Sequence, residues 1–141
     1  MNDDLEIVKV YYNNIEDLYP ELFEEIFKCY DQKQIPALVY LVFYKKDYIG
    51  FLSAYMQNME TLYIQYAGYV DKYKGYQTLN FFREILKFIH KDYKKINCRI
   101  TRDNIPALKM ALGAGMKIFG IRIIENTIFV EFEKERENGT T

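Results

Sequence analysis

The sequence predicts a single α+β domain with a mixed central sheet of about six to seven strands and helices on both faces, and three observations carry that prediction. Short segments dense in Val, Ile, Tyr and Phe are split by polar turns and read as strands. Two other segments place their apolar residues at helical spacing. Strand-like and helix-like segments interleave in the order β, helices, β-hairpin, β, α, β, α, β-hairpin, with no repeat or linker between them. At 141 residues, half apolar and 17% aromatic, the chain can bury one substantial core and is short for two. The domain is expected to span 1–134, with 135–141 a flexible polar tail.

Residues Glu6 to Tyr12 alternate and predict a first strand. Asn13 and Asn14 can cap a helical stretch carrying Leu18, Leu22, Phe23, Ile26, Phe27 and Tyr30, in which Pro20 can start a second helix. Ala37 to Tyr44 and Tyr48 to Met56 flank the polar break Lys45-Lys46-Asp47 as a hairpin, with Gly50 a bulge candidate. Thr61 to Val70 reads as the next strand. From Tyr76 to Tyr93 the period changes, with Leu79, Phe82, Leu86 and Ile89 on one stripe widened by Phe81, Ile85 and Phe88. A short strand, Ile96 to Ile100, follows, and strands joined through a helix pair in parallel, which makes a βαβ unit. Thr101 or Asp103 can cap a helix from Asn104 to about Leu112 that stops at Gly113-Ala114-Gly115. Met116 to Ile124 and Thr127 to Phe132 form the last hairpin around Glu125-Asn126.

Charge and composition exclude several classes. The net charge of -1 comes from interspersed acids and bases, which disfavours nucleic acid and membrane surfaces as partners. Cys29 and Cys98 lack the close spacing of a metal knuckle or redox pair, and the acidic start is unlike a signal peptide, so a cytoplasmic location with reduced, buried thiols is expected. His90 is the single histidine and sits near a helix end, where a surface or dipole-stabilising role is usual. No metal-binding spacing is present. Abundant Tyr, Asn, Ile and Lys without Trp is the composition of an AT-rich genome, bacterial or phage.

Two segments resemble the GNAT superfamily of acyl-CoA N-acyltransferases. Asn104, Ala107, Ala111, Gly115 and Met116 fall at the spacing where members carry Asn, Ala, Tyr, Gly and Phe. Val70 to Leu79 resembles the family's strand-to-helix loop V-x-P-x-Y-R-G-x-G-x-G, with Lys74 at the basic position and Gly75 beside it, although Gln77 and Leu79 replace two glycines and the Pro is absent. The resemblance implies that acetyl-CoA is the co-substrate, its diphosphate seated by the backbone around Tyr69, Val70, Lys74, Gly75, Tyr76, Gln77 and Thr78, its pantetheine arm beside Asn104 and Ala107. A helix N-terminus supplies unpaired N–H groups and partial positive charge for such a seat. Glycine is favoured where a phosphate nears the backbone, so Gln77 and Leu79 must turn away if a diphosphate binds. Lys74 can also be a solvated loop lysine. Ala107, Ala111 and Ala114 make a small-residue face that serves either a cofactor arm or close helix-to-sheet packing, and Asn104 either binds the arm or caps its helix.

The resemblance further implies direct attack of an amine on the thioester between two parallel strands that splay apart, with backbone N–H groups near Tyr69 and Val70 polarising the carbonyl. The tyrosine that commonly protonates the leaving thiolate is replaced by Ala111. Glu60 and Tyr66 are the nearest base candidates, but a turn carboxylate and a packing tyrosine are the simpler readings, and neither is assigned. Tyr40, Tyr44, Tyr55, Tyr63, Tyr66 and Tyr69 crowd the strands, so some must line the face near an acceptor cleft. The expected function is an N-acetyltransferase acting on a small-molecule or protein amine. The alternative is a catalytically inactive binding or structural module, such as a phage virion component or regulatory subunit, and a homodimer is left open.

Overall fold

The computed structural model describes residues 4–11, 14, 38–69 and 76–137, with the side chains of Tyr66, Gly68, Tyr69, Tyr76 and Gln77 outside that description. The helices expected between Asn13 and Tyr30, Cys29, and the tail beyond Glu137 lie outside it as well. Seven strands form one sheet: β1 (Leu5–Tyr11), β2 (Leu38–Tyr44), β3 (Asp47–Met56), β4 (Thr61–Tyr69), β5 (Lys95–Thr101), β6 (Lys117–Ile124) and β7 (Thr127–Glu135). Two helices are described, α1 (Tyr76–Ile89) and α2 (Ile105–Gly113). The sheet order is β1-β2-β3-β4-β5-β7-β6, and every neighbouring pair is antiparallel except β4 and β5. The parallel pairing is the one expected from the helix between these strands.

β2 is buried along most of its length because it serves two cores. Leu38, Tyr40 and Val42 face α1, while Val39 and Leu41 join Val10 and Phe51 in a cluster on the opposite face. α1 inserts Phe81, Phe82, Ile85, Leu86 and Ile89 into the first cluster, and truncating any one of them to Ala should cost about 2–5 kcal/mol. Both described helices pack on this face. Both hairpins at β2–β3 and β6–β7 turn through two residues with positive φ, Lys45-Lys46 (50° and 70°) and Glu125-Asn126 (48° and 68°), a pair of values that matches the right-handed twist of the strands. The expected bulge near Gly50 is present: Val42 pairs with Gly50 and Phe43 with Tyr48, which leaves Ile49 as the extra residue.

Two expected boundaries move. α1 ends at Ile89, short of Tyr93, because its last turn tightens: Asp92 N donates to Ile89 O at 3.0 Å and Lys91 N to Phe88 O at 3.3 Å. β7 runs on past Phe132 to Glu135, held by Lys95↔Glu135 pairing and by a Lys95–Glu133 ion pair at 3.0 Å. Glu135, counted toward the polar tail, thereby belongs to the sheet.

Candidate functional site

The parallel ladder between β4 and β5 has only four rungs, from Thr61↔Lys95 to Ile64↔Cys98. Both strands continue beyond it. β4 stays on β3, with Ser53↔Tyr66 through Gly50↔Tyr69, and β5 stays on β7, with Arg99↔Glu131 through Thr101↔Phe129. The two strands therefore part at Ile64 and Cys98 and leave a wedge in the middle of the sheet. Its cause is local: Ala54 pairs with Ile64 but Ser53 pairs with Tyr66, so Gln65 is an extra residue in β4, and a bulge bends and twists the strand that carries it. Past Ile64 the edge of β4 that faces this wedge is no longer in the ladder with β5.

Six residues separate the end of β4 from the start of α1, so the N-terminus of α1 follows in the chain from the end of β4 that lies beyond the last rung. No acidic residue stands in its first turn, so nothing there opposes an anion. Of the residues expected to seat a diphosphate, Tyr69 closes β4 opposite Gly50, Tyr76 and Gln77 open α1, and Thr78 is buried in its first turn. Val70, Lys74 and Gly75 lie outside the described residues. Leu79, which stands where the family carries a glycine, turns toward α2: a Cβ built on Gly113 would lie 3.2 Å from each of its two methyl carbons. Its bulk fills the α1–α2 contact, as it must if the helix end is to stay open. The same contact is fastened by Arg83, whose Nε and Nη2 donate to Gly113 O at 3.2 and 2.8 Å and so satisfy a carbonyl at the C-terminal end of α2.

The cap of α2 differs from the expectation. Neither Asp103 nor Thr101 caps it; Asn104 does, its Oδ1 accepting from Ala107 N at 3.3 Å. Pro106 sits in the first turn, where a missing N–H is harmless, and that fixes the register. Asn104 thus spends its side-chain oxygen within the protein, leaving only its amide N–H groups for another partner. The small-residue face also resolves: Ala111 and Ala114 are buried in the core against the sheet, while Ala107 is half-buried. No acid can act from position 111.

On the face opposite the helices, the lip of the wedge carries residues that the sequence reading did not single out. Ile96, Cys98 and Ile100 face the helical core, so Arg99 points the other way, one residue past the last rung. Its guanidinium lies 5.9 Å from the ring centre of Tyr63 and 5.2 Å from that of Phe129. Tyr63 also packs on Tyr55 at 5.1 Å. Burial pushes the Tyr63 hydroxyl up to about 12, with Arg99 acting against that shift, so Tyr63 remains a protonated donor at neutral pH and not a base. The signal was present in the sequence as a charge at the outward position of an alternating strand, but its ring partners come from β4 and β7.

Of the other candidates only Tyr66 lies on the stretch of β4 that borders the wedge. Glu60 sits just before the closed end of β4, paired with Lys94 at 3.2 Å, which is the turn-carboxylate placement. Tyr66 pairs with Ser53 through its backbone; its side chain lies outside the described residues. His90 is buried, not on the surface: Nδ1 lies 3.1 Å from Tyr93 O and must carry the proton, and Nε2 has no hydrogen-bond partner. Burial, reinforced by Lys134 and Arg136, lowers its pKa. Cys98 is buried beside Met116 Sδ at 3.9 Å, and burial pushes its thiol up to about 12, an unreactive state. Among the described residues no cluster of His, Cys, Asp or Glu could hold a metal, and no helix is long and apolar enough to cross a membrane.

No protein-family model matches the chain, and no curated protein matches it in sequence. Solved structures do match. Arabidopsis thaliana Naa50, in complex with the bisubstrate analogue CoA-Ac-MVNAL, superposes with a TM-score of 0.66 at 19% identity over 94% of this chain and 99% of that one. A GNAT family acetyltransferase from Elizabethkingia anophelis with acetyl-CoA bound gives 0.63 at 19% identity over 95% and 99%. An acetyltransferase from Salmonella typhimurium that modifies the N-terminal serine of ribosomal protein L7/L12 gives 0.68 at 14% identity over 96% of each chain. The chain has the fold of the GNAT acetyltransferases across nearly its full length.

Proposed function

We propose that this domain is an N-acetyltransferase that accepts the acetyl group of acetyl-CoA onto an amine in the wedge between β4 and β5. The observation that carries this reading is the early end of the parallel ladder at Ile64 and Cys98, with the N-terminus of α1 following in the chain from the end of β4 beyond it. The protein's residues fit the co-substrate on two further counts: the first turn of α1 is free of acids, and Leu79 is packed into Gly113, away from the helix pole. The backbone from Tyr69 to Thr78, with Lys74 and Gly75 in the connecting loop, would hold the diphosphate, and Ala107 with the Asn104 amide would border the arm. Acetyl-CoA supplies a thioester whose carbonyl is open to attack by a neutral amine.

The chain's own part is positioning and electrostatics. N–H groups of β4 past Ile64 are fixed by pairing with β3 and can donate to an oxygen placed in the wedge as negative charge builds on it. The ammonium first loses one proton to water; the neutral amine then attacks, the C–N bond forms as the C–S bond breaks, and the acylated nitrogen gives its second proton to water as the thiolate departs. With Ala111 buried, the sulfur leaves as a thiolate, a tolerable course for a thiol of pKa about 8.5. The burial of Ala111 is also the one observation favouring a second reading, a domain that binds the cofactor without turnover.

Two measurements separate the readings. Coenzyme A at about 100 times its dissociation constant should stabilise the fold by roughly 2.7 kcal/mol, a rise of several degrees in Tm. Acetyl-CoA with a panel of amines should then release free thiol. A Tm that saturating coenzyme A leaves unmoved ends the enzyme reading, and binding without thiol release on any amine favours the second.

A further inference from the structure

We propose that Arg99 reads a carboxylate on the acceptor, so that the amine taken by this domain is an amino-acid-like molecule and not a polyamine. The inference rests on the acetyl-transfer reading and deepens it by naming the acceptor class. Arg99 is the first residue of β5 beyond the last β4–β5 rung, on the face away from α1 and α2. A diphosphate at the N-terminus of α1 brings the cofactor in from the helical side, which leaves the opposite lip as the open approach for the amine. Arg99 occupies that lip.

The guanidinium is held but not neutralised. Tyr63 and Phe129 lie against it at 5.9 and 5.2 Å, a cation–π arrangement that restrains the plane while its N–H edge stays available. The residue directly across the ladder is Glu131, the natural ion-pair partner, yet that carboxylate leans the other way. Its Oε1 lies 3.8 Å from Arg122 Nε and would stand 3.3 Å from a Cβ on Gly120, so it sits over β6. Arg122 takes this glutamate, and Arg99 has no carboxylate within ion-pair distance among the described residues. Arg99 is also exposed, so a ligand can reach it. A planar fork of N–H donors, restrained by two rings and lacking a carboxylate, matches a carboxylate in two-point geometry. The same positive charge repels a polycationic acceptor.

The test uses two readouts. In the first, acetyl-CoA turnover is compared for amino acids, for the amines that lack their carboxylate, and for spermidine. The wild type should favour the carboxylate-bearing member of each pair by about tenfold or more in kcat/KM, the effect of a charge-assisted two-point contact. Arg99→Gln should erase that preference by raising KM for the carboxylate-bearing member of each pair, and Arg99→Lys should restore part of it. Equal use of both members by the wild type, or a preference that survives in Arg99→Gln, overturns the proposal. The second readout needs no catalysis: N-acetylglycine, a product analogue, is titrated into the 15N-labelled protein with and without coenzyme A. The Arg99 Nε–H resonance should shift with N-acetylglycine and not with its amide, N-acetylglycinamide; no shift in either state overturns the proposal. Failure of coenzyme A to raise Tm, by contrast, strikes the acetyl-transfer reading alone.

Discussion

Replacing Leu79 with glycine restores the residue customary in the family's loop, and the structure predicts that this makes the protein worse. Leu79 is half-buried, and its methyl groups rest where α2 has spared a side chain at Gly113. Loss of a half-buried leucine should cost about 1–2 kcal/mol, scaled down from a fully buried site. Glycine in place of alanine inside a helix adds about 1 kcal/mol. The sum is about 2–3 kcal/mol, or a fall in Tm of roughly 10 °C for a domain of this size. Leu79→Ala should show the first part alone. Urea denaturation gives the stabilities, and titration calorimetry with coenzyme A, run at a temperature where each variant is folded, gives the affinities. Because the side chain already points away from the helix pole, Kd for coenzyme A should stay within about twofold in both variants, a change of under about 0.5 kcal/mol. A tenfold tighter Kd in either variant would show that Leu79 obstructs the seat and that its placement against Gly113 has been misread.

Arg83→Ala should cost about 1 kcal/mol, below the usual range for a charged hydrogen bond because Arg83 is exposed, with Arg83→Lys recovering part of it through the helix dipole; equal Tm for all three proteins would refute the clamp. His90 should make the protein acid-sensitive. Its folded pKa lies below the unfolded 6.5, so the unfolded chain takes up a proton first and stability falls as pH drops below about 6.5, by at most about 1.4 kcal/mol per pH unit, levelling once the folded imidazole also protonates. His90→Phe should lose less stability than the wild type between pH 7 and 5 in urea titrations, and parallel losses would refute that assignment. Removing Gln65 by deletion should regularise β4 against β3, close the wedge and abolish the coenzyme A thermal shift while the domain still unfolds cooperatively; an unchanged shift would mean the bulge does not hold the strands apart.

Among the described residues periodicity carried the elements and their order because each segment buries one stripe or alternate positions, and the parallel pairing of β4 and β5 followed from the helix between them. Boundaries moved where local chemistry competed with pattern. Glu135 was placed in the polar tail and the last strand was ended at Phe132, yet β7 keeps Glu133, Lys134 and Glu135 through backbone pairing with β5. That extension brings Lys134 and Arg136 near His90, which a surface reading of the histidine could not foresee. Three residues could cap α2, and Pro106 decided among them. Ala111 in place of tyrosine was visible, but that its methyl serves the core needed the packing. The splayed strands were expected from the family resemblance, but that Gln65 is the extra residue beside them needed the strand register. The Arg99 site was hidden for a related reason: its two rings are far apart in the chain and meet only through strand register.

Hydrogen exchange on β4 with and without coenzyme A addresses the wedge directly. Amides of Thr61 to Ile64 that lie in the ladder should be protected in both states, whereas wedge-facing amides from Gln65 to Tyr69, together with the first turn of α1, should exchange faster alone and slow by tenfold or more when coenzyme A is bound. Uniform protection along β4 that coenzyme A leaves unaltered would contradict a cofactor seated between these strands.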